Sequence, residues 1–284
     1  MNDFSRRATL AYGCAMAALI LFMYLPMITM ALASFSRSKY FSFPVPKYSD
    51  KWYLEVFESL SIRDFFWTST VVAIAVACLS TVLAFFGALA FARYDWKGRG
   101  LFQKIILLPI LFPQAVLGLA LLLWFTALGI TPSWQATVFA HLVWIAPIAT
   151  LVIAIQVYSF DPAVEEAAYD LGASRWQVLW EITLPLLAPG IFSGFTFAFL
   201  LSWANFPLSM LSSGADSTIP EWVSAKLQSG YTPQVPAVGT LTILAAAVVM
   251  ALGHQISALM KRRQIKGLAQ NQISGLADAK RWQL

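Results

Sequence analysis

The sequence predicts an all-α membrane protein: six transmembrane helices with both termini on the cytoplasmic side. Hydrophobic residues make up 59% of the 284-residue chain and charged residues 12%, whereas soluble domains carry about 25% charged residues. So few charges cannot coat a globule, but they suffice for the loops of a bundle in lipid. A membrane-crossing helix needs about 20 mostly apolar residues, and six segments meet that length: roughly 10–35, 65–92, 105–129, 135–160, 186–212 and 236–260. None of the six contains Asp, Glu, Lys or Arg, so all 19 basic and 14 acidic residues fall in tails and loops.

Arg6 and Arg7 precede the first apolar run in the manner of a signal peptide. The run is too long for a signal h-region and has no clean small-x-small cleavage site, so it reads as a retained span. With the N-terminus inside, the inner segments (1–9, 93–104, 161–185 and 261–284) hold 13 of the 19 Lys and Arg, and Lys261-Arg262-Arg263 follows the last span directly. That asymmetry sets the orientation. The predicted organisation is a cytoplasmic tail over 1–9, a six-span domain over 10–260 with its main cytoplasmic loop at 161–185, and a cytoplasmic tail over 261–284. Cys14 and Cys78 lie within apolar runs and read as buried thiols, not as a disulfide or metal pair.

The outer loop 36–64 carries Tyr40, Phe41, Phe43, Trp52, Tyr53 and Phe57. These suit an amphipathic piece at the membrane interface or a docking surface for an extracytoplasmic partner. Pro109 and Pro113 in the third span and Pro147 in the fourth read as packing kinks. His141 and His254 lack partners at metal spacing and read as structural residues. Gly190 and Gly194 form a G-x-x-x-G that would let another helix approach closely. Asn205, followed by Pro207, is an amide inside an apolar span; with Ser202, Trp203 and Phe206 it forms a candidate substrate pathway, joined by Gln114 in the third span. Polar residues inside a membrane usually face the bundle interior, and a proline there frees a backbone carbonyl.

The 161–185 loop carries several helix signals. Asp161 can cap free N–H groups ahead of Pro162. Glu165 and Glu166 lie near the positive end of a short helix that runs to about Leu171. Gly172 suits the left-handed C-cap position. Ser174-Arg175-Trp176-Gln177 reads as a capping box opening a second short helix, and Pro185 begins the next span. Ala167 and Ala168 leave a flat patch, while Leu171, Trp176 and Leu179 offer apolar contacts. On these residues alone, an interfacial hairpin and a docking element both remain open.

The string EAAYDLGASRWQVLWEITLPLLAPGI, Glu166 to Ile191, closely resembles the EAA loop of permease subunits in ATP-binding-cassette importers of the type I fold. Glu166, Ala167, Ala168, Asp170, Gly172, Ala173, Ile182, Leu184, Pro185 and Pro189 carry the match. The placement of this loop between spans four and five agrees with it. Within that family the chain is most similar to the second permease of spermidine/putrescine-type systems, through Trp52-Tyr53, the Pro-rich third span and the short tail after the sixth.

The resemblance implies a type I ABC importer permease in a bacterial inner membrane, working by alternating access. Its partners would be a second, homologous permease in a heterodimer, two ATPase subunits, a periplasmic substrate-binding protein and membrane lipid. ATPase coupling would fall to Glu166, Ala167, Ala168, Asp170, Leu171, Gly172, Ala173, Leu184 and Pro185. One departure matters. Polyamine permeases of this kind typically carry acids in the middle of the fifth span, whereas Ser202–Pro207 has none. A cation at mid-membrane wants a counter-charge, so the cargo is expected to be a small polar metabolite and not necessarily a polyamine.

No G-x-x-x-x-G-K-[ST] occurs, so no cofactor is expected on this chain and ATP with its Mg is assigned to the partner ATPase. The chain itself is therefore expected not to be an enzyme. The position of the basic residues is a topology signal and no indication of nucleic acid. The main rival, a stand-alone ion-coupled carrier, usually needs charged residues or a broken-helix ion site at mid-membrane. An intramembrane enzyme or scaffold ranks last, since no catalytic dyad is visible.

Overall fold

The computed structural model describes residues 3–39 and 42–281, and most of them are helical. In order, the elements are α1 (Asp3–Ser34), α2 (Lys51–Glu58), α3 (Leu60–Ala88), a π-helical turn (Leu89–Arg93), α4 (Arg99–Leu111), α5 (Gln114–Ala127), α6 (Trp134–Tyr158) and α7 (Ala163–Asp170). There follow α8 (Arg175–Gln177), a second π-helical turn (Val178–Thr183), α9 (Leu184–Trp203), α10 (Ser209–Ser212), α11 (Ile219–Ser229) and α12 (Gln234–Arg281).

Among the described residues, five continuous helical stretches are long and apolar enough to cross a membrane: Ala8–Ser34, Leu60–Arg93, Trp134–Tyr158, Arg175–Trp203 and Gln234–Met260. The third expected span departs from expectation. Residues 105–129 are not one helix; α4 and α5 meet at a bend of 101° around Phe112–Pro113. Proline disfavours helix in the residue before it and lacks an N–H, so Pro113 ends α4 where a milder kink was anticipated.

Two boundaries of the fifth span also move. The helix does not begin at Pro185 but runs from Arg175 through the second π-turn into α9, and it stops at Trp203, short of Ser212. Asn205 therefore lies in a break between α9 and α10 and not inside a helix. Pro207 accounts for this, since it cannot continue the ladder. The cysteines correct another expectation: Cys14 and Cys78 are exposed on the helix surfaces. A membrane helix is apolar all round, so an apolar run does not tell which face turns inward.

The chain forms two compact units, Met1–Phe66 with Ile219–Ala245, and Trp67–Thr218 with Ala246–Leu284. In the first, Val56, Ile62, Ile219, Trp222 and Val238 form a buried core against which Trp52 and Tyr53 pack. Trp52 Nε1 donates to the Ser36 carbonyl at 2.6 Å and Tyr53 shares a 2.7 Å hydrogen bond with Ser34 Oγ. These two aromatics of the outer loop are thus anchors turned inward. Phe43 and Phe57 stay exposed, while Tyr40 and Phe41 lie outside the described residues.

In the second unit α6 is the central element, with His141, Ile145 and Ile153 fully buried. It packs along α9 through the expected glycines. A Cβ on Gly190 would stand 2.5 Å from Gln156 Cβ, and one on Gly194 would stand 2.8 Å from Ile153 Cγ1. The G-x-x-x-G therefore serves close packing within this chain. Leu121, Phe125, Ala136, Ala140 and Leu208 close a further cluster where α5, α6 and the segment after the break meet.

Candidate functional site

The 161–185 loop folds as its capping residues dictate. Asp161 Oδ1 accepts from the Ala163 N–H at 3.0 Å, ahead of α7. At the other end Gly172 adopts φ +85°. Its N–H donates to the Tyr169 carbonyl at 2.9 Å, and the Ala173 N–H to that of Ala168 at 3.0 Å. These two bonds make a Schellman turn, which needs the left-handed residue that glycine supplies cheaply. Ser174 and Gln177 then form the expected reciprocal capping box.

The turn leaves a bare tip. Glu166, Ala167, Asp170, Leu171 and Gly172 are exposed, Ala168 and Ala173 are half-buried, and Leu171 reaches 90% exposure. Trp176 is 70% exposed on the following turn. Leu184 and Pro185 lie further along, inside the continuous helix, Leu184 half-buried and Pro185 exposed. The sequence-predicted residues thus divide into an exposed group on and after α7 and a pair at the root of α9.

Three residues outside the predicted coupling set, Arg93, Glu165 and Thr183, tie this loop to the spans. Arg93 Nη2 donates to Glu165 Oε2 at 2.5 Å, and Thr183 Oγ1 donates to Glu165 Oε1 at 2.5 Å. The Arg93 guanidinium also lies 5.2 Å from the centre of the Phe160 ring. Arg93 and Thr183 are the last residues of the two π-helical turns. Beside them, burial raises the Tyr94 phenol above its ordinary value, and the Glu165 carboxylate adds to the rise. In sequence, Arg93 reads only as a basic residue ending a span, and no local pattern links it to a carboxylate 72 positions away.

The candidate pathway residues separate similarly. Ser202, Trp203 and Asn205 are buried, and Phe206 is half-buried. His141 sits between the two sides of the break, with Nδ1 2.8 Å from Ser202 Oγ and Nε2 3.1 Å from Ser209 Oγ. Because Ser209 Oγ donates to the Asn205 carbonyl at 2.8 Å, it accepts from the imidazole Nε2–H, and Nδ1 accepts from Ser202. Asn205 Oδ1 caps the Leu208 N–H at 3.1 Å. Ser202 and Asn205 are thus engaged inside the chain, holding the break in shape. Gln114 stands apart from them as the half-buried first residue of α5, at the 101° bend.

Residues 80–266 match the family model described as "Binding-protein-dependent transport system inner membrane component". The chain is 29% identical over 255 residues to the putrescine transport system permease protein PotI of Escherichia coli, covering 87% of this chain and 90% of that protein. It is 28% identical over 252 residues to the spermidine/putrescine transport system permease protein PotC of the same species, covering 88% and 95%. In three dimensions it resembles a chain of a bacterial ABC transporter involved in the import of the acidic polysaccharide alginate, with TM-score 0.66 and 19% identity over 90% of this chain and 98% of that one.

Proposed function

The chain belongs to the family of binding-protein-dependent transport system inner membrane components, the permeases of ATP-driven importers, and from that premise we propose that its 161–185 loop is the dock for the ATPase subunits. The observation that carries this is the tip of the loop. A Schellman turn holds Leu171 at 90% exposure with Trp176 at 70% close behind, flanked by Glu166 and Asp170. Apolar side chains held so far from the chain's own interior, on a turn with fixed backbone bonds, suit a protein partner.

In the proposed assembly this permease pairs with a second, homologous one in the membrane. Two ATPases bind ATP and Mg beneath them, and a periplasmic protein delivers cargo. Closure of the ATPases pushes the loop, and the spans alternate between outward and inward access. Family membership and the absence of acids or bases from the apolar segments 65–92, 105–129, 135–160, 186–212 and 236–260 weigh against an ion-coupled carrier.

The cargo is a small polar metabolite and need not be a polyamine. Any counter-charge for a cationic cargo would come from outside Ser202–Pro207, which holds no acid. The test is Leu171→Cys, combined with removal of the native cysteines, in membranes containing the co-expressed ATPase. Labelling of this cysteine with a maleimide–benzophenone, followed by ultraviolet irradiation, is expected to join it to the ATPase. A chain that assembles with its partners yet gives no such product removes the docking role.

A further inference from the structure

The bonds to Glu165 amount to more than local support. One carboxylate, 12% exposed in its side chain, takes Arg93 on one oxygen and Thr183 on the other. Through Arg93 it reaches the end of the α3 helix; through Thr183 it reaches the root of α9; and it stands on α7 itself. The guanidinium, only 16% exposed, also covers Phe160, just after α6. Three spans are therefore connected to the loop at one point. Both connections end π-helical turns, Leu89–Arg93 and Val178–Thr183, and such turns are uncommon and frequent at functional sites.

The carbonyls freed around the first π-turn are held as well. Arg99 Nε and Gln103 Nε2 donate to the Phe91 carbonyl at 3.0 and 2.8 Å, and Trp96 Nε1 donates to that of Ala90 at 3.0 Å. A π-turn carries one residue more than the α-helix around it, so the side chain at its end points in a different direction from the one an uninterrupted α-helix would give it. At both places that shifted direction is the one that meets Glu165.

We propose that Glu165 is a positioning residue for energy coupling: the Arg93–Glu165–Thr183 clamp transmits movement of α7 to α3 and α9. This rests on the docking role proposed above. Exposed Glu166 and Leu171 would meet the ATPase, while Glu165, on the inner side of the same helix, passes the displacement on. Without the clamp, α7 can follow the ATPase while the spans stay where they are.

The test uses the full permease–ATPase complex in liposomes. Nitroxide labels are placed on the native, exposed Cys78 of α3 and on Phe197→Cys of α9 in a Cys14→Ala background, and the inter-label distance is read with and without ATP plus vanadate. The wild-type distance is expected to shift. In Glu165→Gln and Arg93→Gln the shift is expected to be lost, while Leu171→Cys in the same backgrounds still cross-links to the ATPase. The exchanged pair Arg93→Glu/Glu165→Arg is expected to recover it.

Thr183→Val, which exchanges the hydroxyl for a methyl group of similar size, guards against a chain that fails to assemble; it is expected to reduce the shift. A wild-type shift retained in Glu165→Gln, or in Thr183→Val should the charge variants not assemble, overturns the clamp. So does an exchanged pair no better than the single variants. Failure of the cross-link in the wild type would instead remove the docking role beneath it.

Discussion

Gly172 offers the sharpest separation of backbone effects from contact effects. Its φ is +85°, and a Cβ built there meets nothing within 4 Å inside the chain. Alanine at this position would have no steric neighbour in the permease, so its whole cost is the left-handed backbone, about 1–2 kcal/mol. Each 1.4 kcal/mol is a factor of about ten. The Schellman turn that positions Leu171 should therefore be populated about 5- to 30-fold less strongly against its alternatives.

Asparagine tolerates the left-handed region far better than alanine and should recover most of the loss, although its side chain is larger. The measurement is the ATPase rate of the reconstituted complex, with and without binding protein, for Gly172→Ala and Gly172→Asn. The order expected is wild type, then Asn, then Ala. If Asn is the worse of the two, glycine is needed because the ATPase backbone approaches closely, and the conformational reasoning is wrong.

Other expectations follow from the same geometry. Gly190→Val and Gly194→Val force side chains into Gln156 and Ile153 and should destabilise by about 1–3 kcal/mol or more, read as a lower melting temperature in detergent. Gly13→Ala, in open space on α1, should leave it unchanged, and equal melting of all three would contradict the packing of α6 on α9. His141→Phe leaves the Ser202 and Ser209 hydroxyls without the imidazole, at about 1–3 kcal/mol for each group left unsatisfied; wild-type melting would mean that the network contributes nothing. Ser174→Ala removes one half of the capping box and should cost about 1 kcal/mol, detectable as faster hydrogen exchange across Arg175–Val178.

The elements that local chemistry specifies were legible in the sequence. Asp161, Gly172, Ser174 and Gln177 each act through bonds to neighbours a few residues away, and the turn they build follows from side-chain type and spacing. The spans were legible because lipid demands long apolar helices. What could not be read was set by distance or by register. Glu165 meets Arg93 and Thr183 only once three helices have packed, and neither π-turn has a compositional signature in this chain. The inward turn of Trp52 and Tyr53 depends on Ser34 and Ser36 folding back against them. Likewise, Cys14 and Cys78 sit on apolar helices whose outward and inward faces share one composition. The break after Trp203 was half visible: Pro207 marked it, but the long apolar run around it argued for a continuous span.

The elbow between α4 and α5 governs the parity of the whole chain. The two rods hold 13 and 14 residues, about 20 and 21 Å at 1.5 Å per residue, and each falls short of a hydrocarbon core about 30 Å thick. Sharing one crossing, they would make six passages and leave both tails on the same face. Turning back together, they would make five, and the C-terminal tail would change sides with every residue of its helix unaltered. Arg99 and Lys104 lie at the start of the first rod, while 130–134 beyond the second carries no charge, the distribution a shared crossing produces. A single bend at Phe112–Pro113 thus decides on which side everything downstream of it emerges, the 161–185 loop included.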